Sequence, residues 1–271
     1  RVVKMLAFVV SVATFLAFEY LPGSRSLRQG LCKLPPGHLL TFFQGHIEIK
    51  SYWHPDPDEA GEPRSAESEN ERLDRLEEII NATVRDRLIA DVPVGVFLSG
   101  GVDSSLVAAL VARHAPGLIA ITMAMPEASY DETPAAKALA VKLGLAHEIV
   151  QFDDASLVES FDVLTERMDE PLADSSLLPT YALCHAARQQ VKVAIGGDGA
   201  DELFAGYINF PVNRFANGLA RVPSWSGRVA RRLLSSVPAN SSYMSLSFLL
   251  RQLSQGFGLS PARQWAAYMA P

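Results

Sequence analysis

Residues 99–105 read SGGVDSS and combine groups that can bind phosphate. Adjacent glycines let the backbone turn sharply and expose its N–H groups, and the serine hydroxyls add further donors. Placed before a helix, these donors lie at the positive end of the helix dipole, which favours an anion. Asp103 would repel a phosphate unless a divalent cation lay between them, so we interpret Asp103 as a Mg²⁺ ligand. The simpler alternative is a Gly-Ser turn; the pattern is not the GxxxxGK[ST] loop.

A second stretch, residues 196–207, reads GGDGADELFAGY and places three carboxylates within five positions. Carboxylates this close are costly to ionise together unless a cation neutralises them. We therefore interpret Asp201 as a second Mg²⁺ ligand, opposite Asp103 across a pyrophosphate, and place Asp198 nearer the reacting carbonyl. The alternative is a flexible acidic surface loop. Under the first interpretation these three aspartates are the candidate catalytic residues.

Both stretches follow apolar runs that predict buried strands. Residues 94–98 are apolar and rich in β-branched side chains, as expected of a strand covered on both faces, and Ser104 or Ser105 is predicted to cap the following helix. Strands and helices alternate onward, which predicts an α/β fold with a doubly wound parallel sheet and ligands at the carboxyl ends of its strands. The other predicted strands are 118–125, 146–152 and 191–195, and the predicted helices are one from Glu71 onward, 132–143 with Gly144 as its C-cap, 155–168 and 177–189.

The first 70 residues have a different character. Residues 5–18 form an apolar run that is too short to span a bilayer, and we predict a buried helix rather than a signal peptide or anchor. Residues 38–43 and 46–53 flank Gln44-Gly45 and predict a β-hairpin. Residues 54–70 are rich in proline and acidic side chains, which indicates a linker and a domain boundary.

The composition is that of a globular protein with a substantial core, since 48% of the 271 residues are hydrophobic and 20% are charged. The net charge of −6 argues against a nucleic-acid partner, and no membrane partner is expected. Cys32 and Cys184 are predicted to be reduced, buried thiols of a cytoplasmic protein, and His114 and His147 to be structural. After Glu202 the chain has seven arginines and no acidic residue, so this segment either faces something negative or forms a solvated basic surface.

Four motifs in this order resemble the synthetase domain of glutamine-dependent asparagine synthetases: SGGVDSS, YDE at 130–132, DEPLADSS at 169–176, and GGDGADELFAGY. The segment LPGSRSLRQGLCKLPPGHLL at 21–40, with Tyr52-Trp53, resembles the end of that family's glutaminase domain. The resemblance implies three regions. These are a remnant of an α+β glutaminase domain of the Ntn type (1–53), a linker (54–70) and a C-terminally truncated domain of the ATP-pyrophosphatase (adenine nucleotide alpha hydrolase-like) fold (71–271).

In that family MgATP adenylates aspartate and releases pyrophosphate, and ammonia from glutamine then gives asparagine and AMP. The resemblance implies ATP and Mg²⁺ as cofactors, small molecules (aspartate, ammonia and glutamine) as partners, and allows a homodimer. It assigns Asp103 and Asp201 to the metal, and Asp198, which stands where some members carry glutamate, to the ammonia step. The residues it assigns to nucleotide and pyrophosphate are Leu98, Ser99, Gly100, Gly101, Val102, Asp103, Ser104, Ser105, Thr122, Met123 and Gly197.

Two features of the family pattern are missing. The sequence has no N-terminal cysteine, which is the family's glutaminase nucleophile, and no later K-x-D-R-x-S-M motif, so we interpret it as a fragment. Three functions stay open: asparagine synthesis, amidation or β-lactam closure of another carboxylate, and nucleotide binding without turnover. The acceptor pocket would distinguish the first two, and we predict it around residues 169–176 and Tyr181.

Overall fold

The computed structural model describes residues 2–28, 30–54 and 67–218, together with positions 229, 232, 259, 260, 263 and 264. The chain divides into two compact units. The first comprises Arg1–Glu77, Met168–Asp174 and Pro271, and the second comprises Glu78–Arg167 and Ser175–Ala270. Among the described residues, no helix has both the length and the apolar character needed to cross a bilayer.

Helix α1 (Val2–Phe18) confirms the helix predicted for residues 5–18. Its predicted burial is wrong: Val9, Leu16 and Phe18 are 55%, 70% and 53% exposed, and Ser11 is the only buried residue among positions 9–18. The apolar run predicts that the helix is buried, but it does not identify the element that packs against it. No element in the described part of the first unit covers these side chains.

The predicted β-hairpin is confirmed. Strands β1 (His38–Phe43) and β2 (His46–Ser51) pair antiparallel, with Phe43 opposite His46. The two turn residues, Gln44 and Gly45, have φ angles of +48° and +83°. Positive φ at both turn positions is the geometry of a type I′ turn, whose twist matches that of the two strands.

Helix α2 (Glu69–Arg87) begins with a capping box. The Ser68 hydroxyl accepts from the Glu71 amide at 3.3 Å, and the Glu71 carboxylate accepts from the Ser68 amide at 2.7 Å. The Ser68 amide and then the Ser68 hydroxyl, which also donates to the Glu71 carboxylate, lower the pKa of Glu71. Of the predicted linker, residues 55–66 lie outside the described residues, and residues 69–70 already belong to α2.

Beyond α2 the chain alternates between short strands and helices, as predicted. These elements are β3 (Val94–Phe97), α3 (Val102–His114), β4 (Ile119–Ala124), α4 (Thr133–Leu143), β5 (Ala146–Gln151), α5 (Asp154–Arg167), α6 (Leu177–Ala187), β6 (Val193–Ile195), α7 (Ala200–Phe204) and α8 (Asn209–Gly218).

Strands β3 to β6 form a parallel sheet in the order β5-β4-β3-β6. One face packs against α3 and α4 in a cluster that includes Leu98, Val111 and Ala136. The other face packs against α6 through Ile121 and Ala187. Helices therefore cover both faces of the sheet, which confirms the doubly wound α/β class.

The order of the strands reverses at β3. From β3 the chain moves outward through β4 to β5, whereas β6 lies on the other side of β3. The loops that leave the carboxyl ends of β3 and β6 therefore diverge and open a crevice, which is where doubly wound proteins bind ligands. The strand predicted at 191–195 begins at Val193, and because β6 is an edge strand of the described sheet, Val193 is 40% exposed. The predicted burial is therefore wrong for Val193, whereas Ile195 is buried.

Candidate functional site

The loop after β3 is held by its own serines. Ser104 Oγ lies 3.2 Å from the amide of Ser99, 2.9 Å from Ser99 Oγ and 3.2 Å from the carbonyl of Gly101. Gly101 is the N-cap of α3, and no side chain caps this end of the helix. The prediction that Ser104 or Ser105 caps α3 is therefore wrong, because the helix begins before them, at Val102, and the Ser104 hydroxyl bonds back to the loop.

Gly100 occupies a position that excludes a side chain. Its φ angle of +90° is in the left-handed region, which favours glycine. A Cβ here would lie 3.0 Å from the Cβ of Ala135, 3.1 Å from the amide nitrogen of Ala136 and 3.2 Å from the carbonyl of Glu132. The loop can therefore pack against the start of α4 only because this residue is glycine.

We expect Gly100→Ala to lower the free energy of unfolding by about 3 kcal/mol, because the left-handed backbone costs about 1–2 kcal/mol and the overpacking about 1–3 kcal/mol. Urea unfolding measures this loss. Gly117→Ala is the matched control, since Gly117 has φ of +80° and nothing within 4 Å of its added Cβ. It should lose only the backbone contribution, about 1 kcal/mol. Equal losses in the two variants would contradict the packing argument.

The loop after β6 lies directly against the start of α3. A Cβ on Gly197 would lie 3.0 Å from the amide nitrogen of Ser104 and 3.2 Å from the Cβ of Asp103. A side chain at this position would push the two loops apart. Gly197 therefore allows the close approach that brings the second acidic stretch to the first.

The carboxylates of the second stretch lie over glycines. A Cβ on Gly196 would lie 2.6 Å from Asp198 Oδ2. The carboxylate of Asp201 rests on Gly206 so closely that a Cβ there would overlap Asp201 Oδ1. The orientation of both carboxylates therefore depends on neighbouring positions that carry no side chain.

The two loops border a cavity of about 580 Å³ at the carboxyl ends of β3 and β6. This volume is typical of sites that bind small molecules. Asp103, Asp198 and Asp201, the three aspartates that the sequence singles out, all line it. The predicted nucleotide and pyrophosphate residues that also line it are Leu98, Ser99, Gly101, Ser104, Met123 and Gly197.

Four other residues predicted to bind the nucleotide, Gly100, Val102, Ser105 and Thr122, are not among those that line the cavity. Val102 is 84% exposed on α3, whereas Thr122 is 1% exposed. The Thr122 hydroxyl donates to the carbonyl of Leu98 at 2.5 Å. Because side chains alternate along a strand, Met123 reaches the cavity and Thr122 faces the helices α3 and α4.

Several lining residues come from elements that sequence reasoning did not assign to the site. Tyr130 and Glu132 lie just before α4, and Thr180 and Leu183 lie on α6. Tyr130 and Glu132 belong to the YDE motif, which is the sequence feature that could have assigned them to the site. The side chain between them holds this loop, since Asp131 Oδ1 accepts from Thr133 Oγ1 at 2.5 Å and from the Met125 amide at 3.4 Å.

Tyr181 does not line this cavity. It lines a separate one of about 220 Å³ between β5, α5 and α6, where its ring lies 5.9 Å from that of His185. The acceptor pocket predicted around residues 169–176 and Tyr181 therefore does not coincide with the cavity that holds the three aspartates, since none of these residues lines it. The α6 residues that reach that cavity are instead Thr180 and Leu183.

Glu202 accepts a short hydrogen bond within the cavity. Tyr207 donates its hydroxyl to Glu202 Oε1 at 2.6 Å, and both side chains line the cavity. This hydrogen bond favours the charged carboxylate and lowers the pKa of Glu202.

We expect Tyr207→Phe to raise the pKa of Glu202 towards that of an ordinary glutamate. The pKa of Glu202 is lower in the fold than in the unfolded chain, so the hydrogen bond stabilises the fold above the unfolded pKa and its contribution is lost as the pH falls through the folded pKa. A carboxyl-carbon NMR titration measures the shift. Glu71, whose pKa depends on Ser68, should titrate identically in both proteins. An unchanged Glu202 pKa in the variant would contradict the assignment.

Neither cysteine has the predicted burial, because both Cys32 and Cys184 are exposed. Partial desolvation and then the Asp198 carboxylate raise the pKa of Cys184. His114 and His147 take part in local hydrogen bonds and do not line the cavity. His114 Nε2 lies 2.9 Å from Asn81 Oδ1, and His147 Nε2 lies 2.8 Å from Thr122 Oγ1.

The donor set of the cavity fits Mg²⁺. This ion prefers oxygen ligands and is commonly held by one or two carboxylates together with substrate phosphates. Within the described ranges no three His, Cys, Asp or Glu residues group closely enough to hold a metal. Asp103 and Asp201, which both line the cavity, supply carboxylate oxygens of this kind.

A doubly wound parallel sheet, with glycine-rich loops and carboxylates where its strand order reverses, defines an α/β protein with a candidate ligand site at the carboxyl ends of its strands. More specifically, the chain belongs to the asparagine synthase family, whose family model matches residues 75–269.

Curated relatives include a putative glutamine-hydrolysing asparagine synthetase of Mycobacterium tuberculosis, 32% identical over 195 residues that cover 71% of this chain and 30% of the relative. Amidase chyE of Penicillium rubens is 33% identical, with 69% of this chain and 30% of the relative covered. The chain thus spans about a third of the length of the relatives it matches. Among solved structures, an NH3-dependent NAD synthetase from Campylobacter jejuni matches with a TM-score of 0.36 and 21% identity, over 49% of this chain and 60% of that one.

Proposed function

We propose that this chain catalyses the ATP-dependent amidation of a carboxylate, with aspartate as the acceptor and asparagine as the product. The observation that carries this proposal is the meeting of Asp103 and Asp201 in one cavity beside the loop of residues 99–104. Membership of the asparagine synthase family supports the reaction class. Ammonia would come from glutamine through a glutaminase domain.

The residues of the cavity divide into two groups under this proposal. Ser99, Gly101 and Ser104 border the site of the β- and γ-phosphates, which bind at the N-terminus of α3 through the amides of its first turn. Leu98 and Met123 contact the nucleotide. Asp103 and Asp201 hold Mg²⁺, which supplies charge neutralisation for the departing pyrophosphate.

The reaction has two steps. An oxygen of the aspartate side-chain carboxylate attacks the α-phosphorus of ATP, the bond to the β-phosphate oxygen breaks, and pyrophosphate leaves with its electron pair. Ammonia then attacks the acyl carbon of the β-aspartyl-adenylate, the C–O bond to AMP breaks, and the nitrogen loses a proton to give the amide. Asp198, which lines the cavity, is the carboxylate proposed to accept that proton or orient the ammonia.

A second candidate function is amidation of a carboxylate other than aspartate. Two relatives that are named amidases rather than asparagine synthetases favour it, because their names do not specify asparagine as the product. The position of Tyr181 in a separate cavity leaves acceptor recognition to residues such as Thr180 and Tyr130. Both candidate functions use the same loop of residues 99–104 and the same aspartates.

The test uses the 271-residue chain with MgATP and ammonium chloride, which replaces the glutaminase reaction. Pyrophosphate, AMP and asparagine are measured with aspartate, with glutamate, with succinate and without acceptor. Equal amounts of pyrophosphate, AMP and asparagine that depend on aspartate would support asparagine synthesis. Release with another carboxylate alone would favour the second candidate. MgATP binding without any pyrophosphate release would refute amidation by this chain and leave a nucleotide-binding role.

A further inference from the structure

We infer that Thr122 and His147 position the phosphate loop, residues 99–101, through a hydrogen-bond relay that crosses three strands. The inference rests on the proposed function, which places the ATP phosphates at this loop. Neither residue is among those that line the cavity, so both are positioning residues rather than catalytic ones.

The relay ends at the peptide group that joins Leu98 to Ser99, where the chain leaves β3. The carbonyl of this peptide accepts from Thr122 Oγ1 at 2.5 Å, and its N–H donates to Ser104 Oγ at 3.2 Å. The peptide is therefore held at both ends, and a rotation of its plane would break both hydrogen bonds. The phosphate loop begins at this peptide, so its orientation sets the direction in which the loop leaves the sheet towards the contact of Gly100 with α4.

The direction of each hydrogen bond follows from the available hydrogens. A carbonyl only accepts, so the single hydroxyl hydrogen of Thr122 goes to Leu98. Thr122 Oγ1 must then accept from His147 Nε2, 2.8 Å away, which requires the ring form that carries a hydrogen on Nε2. His147 lies on β5 opposite Ala120 of β4, so the relay runs from β5 across β4 to the end of β3.

The relay does not depend on the charge of the imidazole. Burial and then the nearby Lys137 lower the pKa of His147, which favours the neutral ring. The protonated ring would also donate from Nε2, so protonation keeps the hydrogen bond to Thr122. The relay is therefore a fixed support rather than a pH-dependent switch.

Burial makes the loss of the Thr122 hydroxyl costly. Thr122 and Leu98 are each 1% exposed, so water has little access to replace the missing donor. A buried carbonyl without a partner loses the free energy of its hydrogen bond and also that of its hydration. The Leu98 peptide would turn towards another donor, and the phosphate loop would move with it.

Thr122→Val keeps the shape of the side chain and removes the hydroxyl, and Thr122→Ser restores it. In the 271-residue chain we expect Thr122→Val to raise the Kd for MgATP about tenfold and to speed hydrogen exchange of the Ser99 and Gly101 amides by a similar factor. The KM for the carboxylate acceptor should stay unchanged. Thr122→Ser should resemble the wild type in all three measurements.

His147→Leu should change the same quantities in the same direction by a smaller factor, and His147→Gln, which can still donate, should reverse much of the change. His114→Leu is the matched control. It also removes a histidine hydrogen bond, the one to Asn81, but at the opposite end of α3 from the phosphate loop. It should leave the Kd and the loop exchange unchanged.

The outcomes separate this inference from the proposed function. If the wild-type chain does not bind MgATP, the proposed function fails, while amide exchange in the phosphate loop still tests the relay. If Thr122→Val and His147→Leu lower stability but leave the exchange of Ser99 and Gly101 at the wild-type rate, the two residues are merely structural and the inference is overturned. Failure of Thr122→Ser to restore the exchange rate would overturn it as well.

Discussion

Asp103→Asn is expected to lower the rate of MgATP-dependent pyrophosphate release by about a thousandfold, because it removes one of the two carboxylates proposed to hold the cation against the phosphates. Asparagine keeps the size of the side chain, and Asp103 lies half-buried in the first turn of α3, so the fold should persist. The measurements are pyrophosphate release against Mg²⁺ concentration and Kd for ATP with and without Mg²⁺. The variant should lose the Mg²⁺ dependence of ATP binding.

The control for this prediction is Asp154→Asn. Asp154 also places a carboxylate in the first turn of a helix, α5, but it does not line the cavity. Both variants lose the favourable interaction of a carboxylate with the helix dipole, about 0.3–1 kcal/mol, so thermal unfolding should shift similarly in the two. Only Asp103→Asn should change the rate. If ATP affinity of Asp103→Asn still rose with Mg²⁺ as in the wild type, Asp103 would not be a metal ligand.

The secondary structure of the second unit could be predicted because its signals are local. The apolar and β-branched composition of residues 94–98 predicts a buried strand without reference to the rest of the chain, and β3 occupies residues 94–97. Gly144 ends α4 with a left-handed φ of +67°, as predicted from glycine at that position. Alternating strands and helices then leave few arrangements other than a doubly wound parallel sheet.

Positions whose role depends on a partner elsewhere in the chain could not be predicted in the same way. Ser104 has the residue type of a helix cap, but its hydroxyl bonds to Ser99 and Gly101 once the loop has folded. Thr122 and Met123 are consecutive residues of β4, so they lie on opposite faces of the sheet. Which of the two faces the cavity depends on the register of β4 with β3. The exposure of Cys184 and of α1 depends on what covers them, which local sequence does not encode.

The candidate site was predicted where its residues lie in one motif and missed where they come from distant elements. Asp103 and Asp201 are 98 positions apart in sequence, yet the parallel sheet brings both motifs to the same edge, so their meeting could be anticipated. Thr180 and Leu183 reach the cavity because α6 packs on the sheet with one particular rotation about its axis. Helical spacing alone does not specify that rotation.

Gly206→Ala is expected to reduce pyrophosphate release by about a hundredfold without changing any residue assigned to the reaction. A Cβ at position 206 would overlap Asp201 Oδ1 and lie 3.0 Å from Asp201 Cγ and 3.2 Å from its Cα. The carboxylate would have to turn away, and misplacing such a group by about 1 Å costs about a hundredfold in rate. The rate and the apparent affinity for Mg²⁺ are both measured, and both should fall.

A double-mutant cycle with Asp201→Ala decides whether Gly206→Ala acts through that carboxylate. Asp201→Ala alone should lower the rate by about a thousandfold, as expected from the proposal that Asp201 is a metal ligand. With the carboxylate already gone, adding Gly206→Ala should have little further effect, because coupled substitutions are not additive. Leu203→Ala, at a side chain that is 79% exposed on the same helix, should keep the wild-type rate. If the effects of Gly206→Ala and Asp201→Ala on the rate multiplied instead, Gly206→Ala would act independently of the Asp201 carboxylate, through the shape of α7. The argument that Gly206 positions this carboxylate for the reaction would then be wrong.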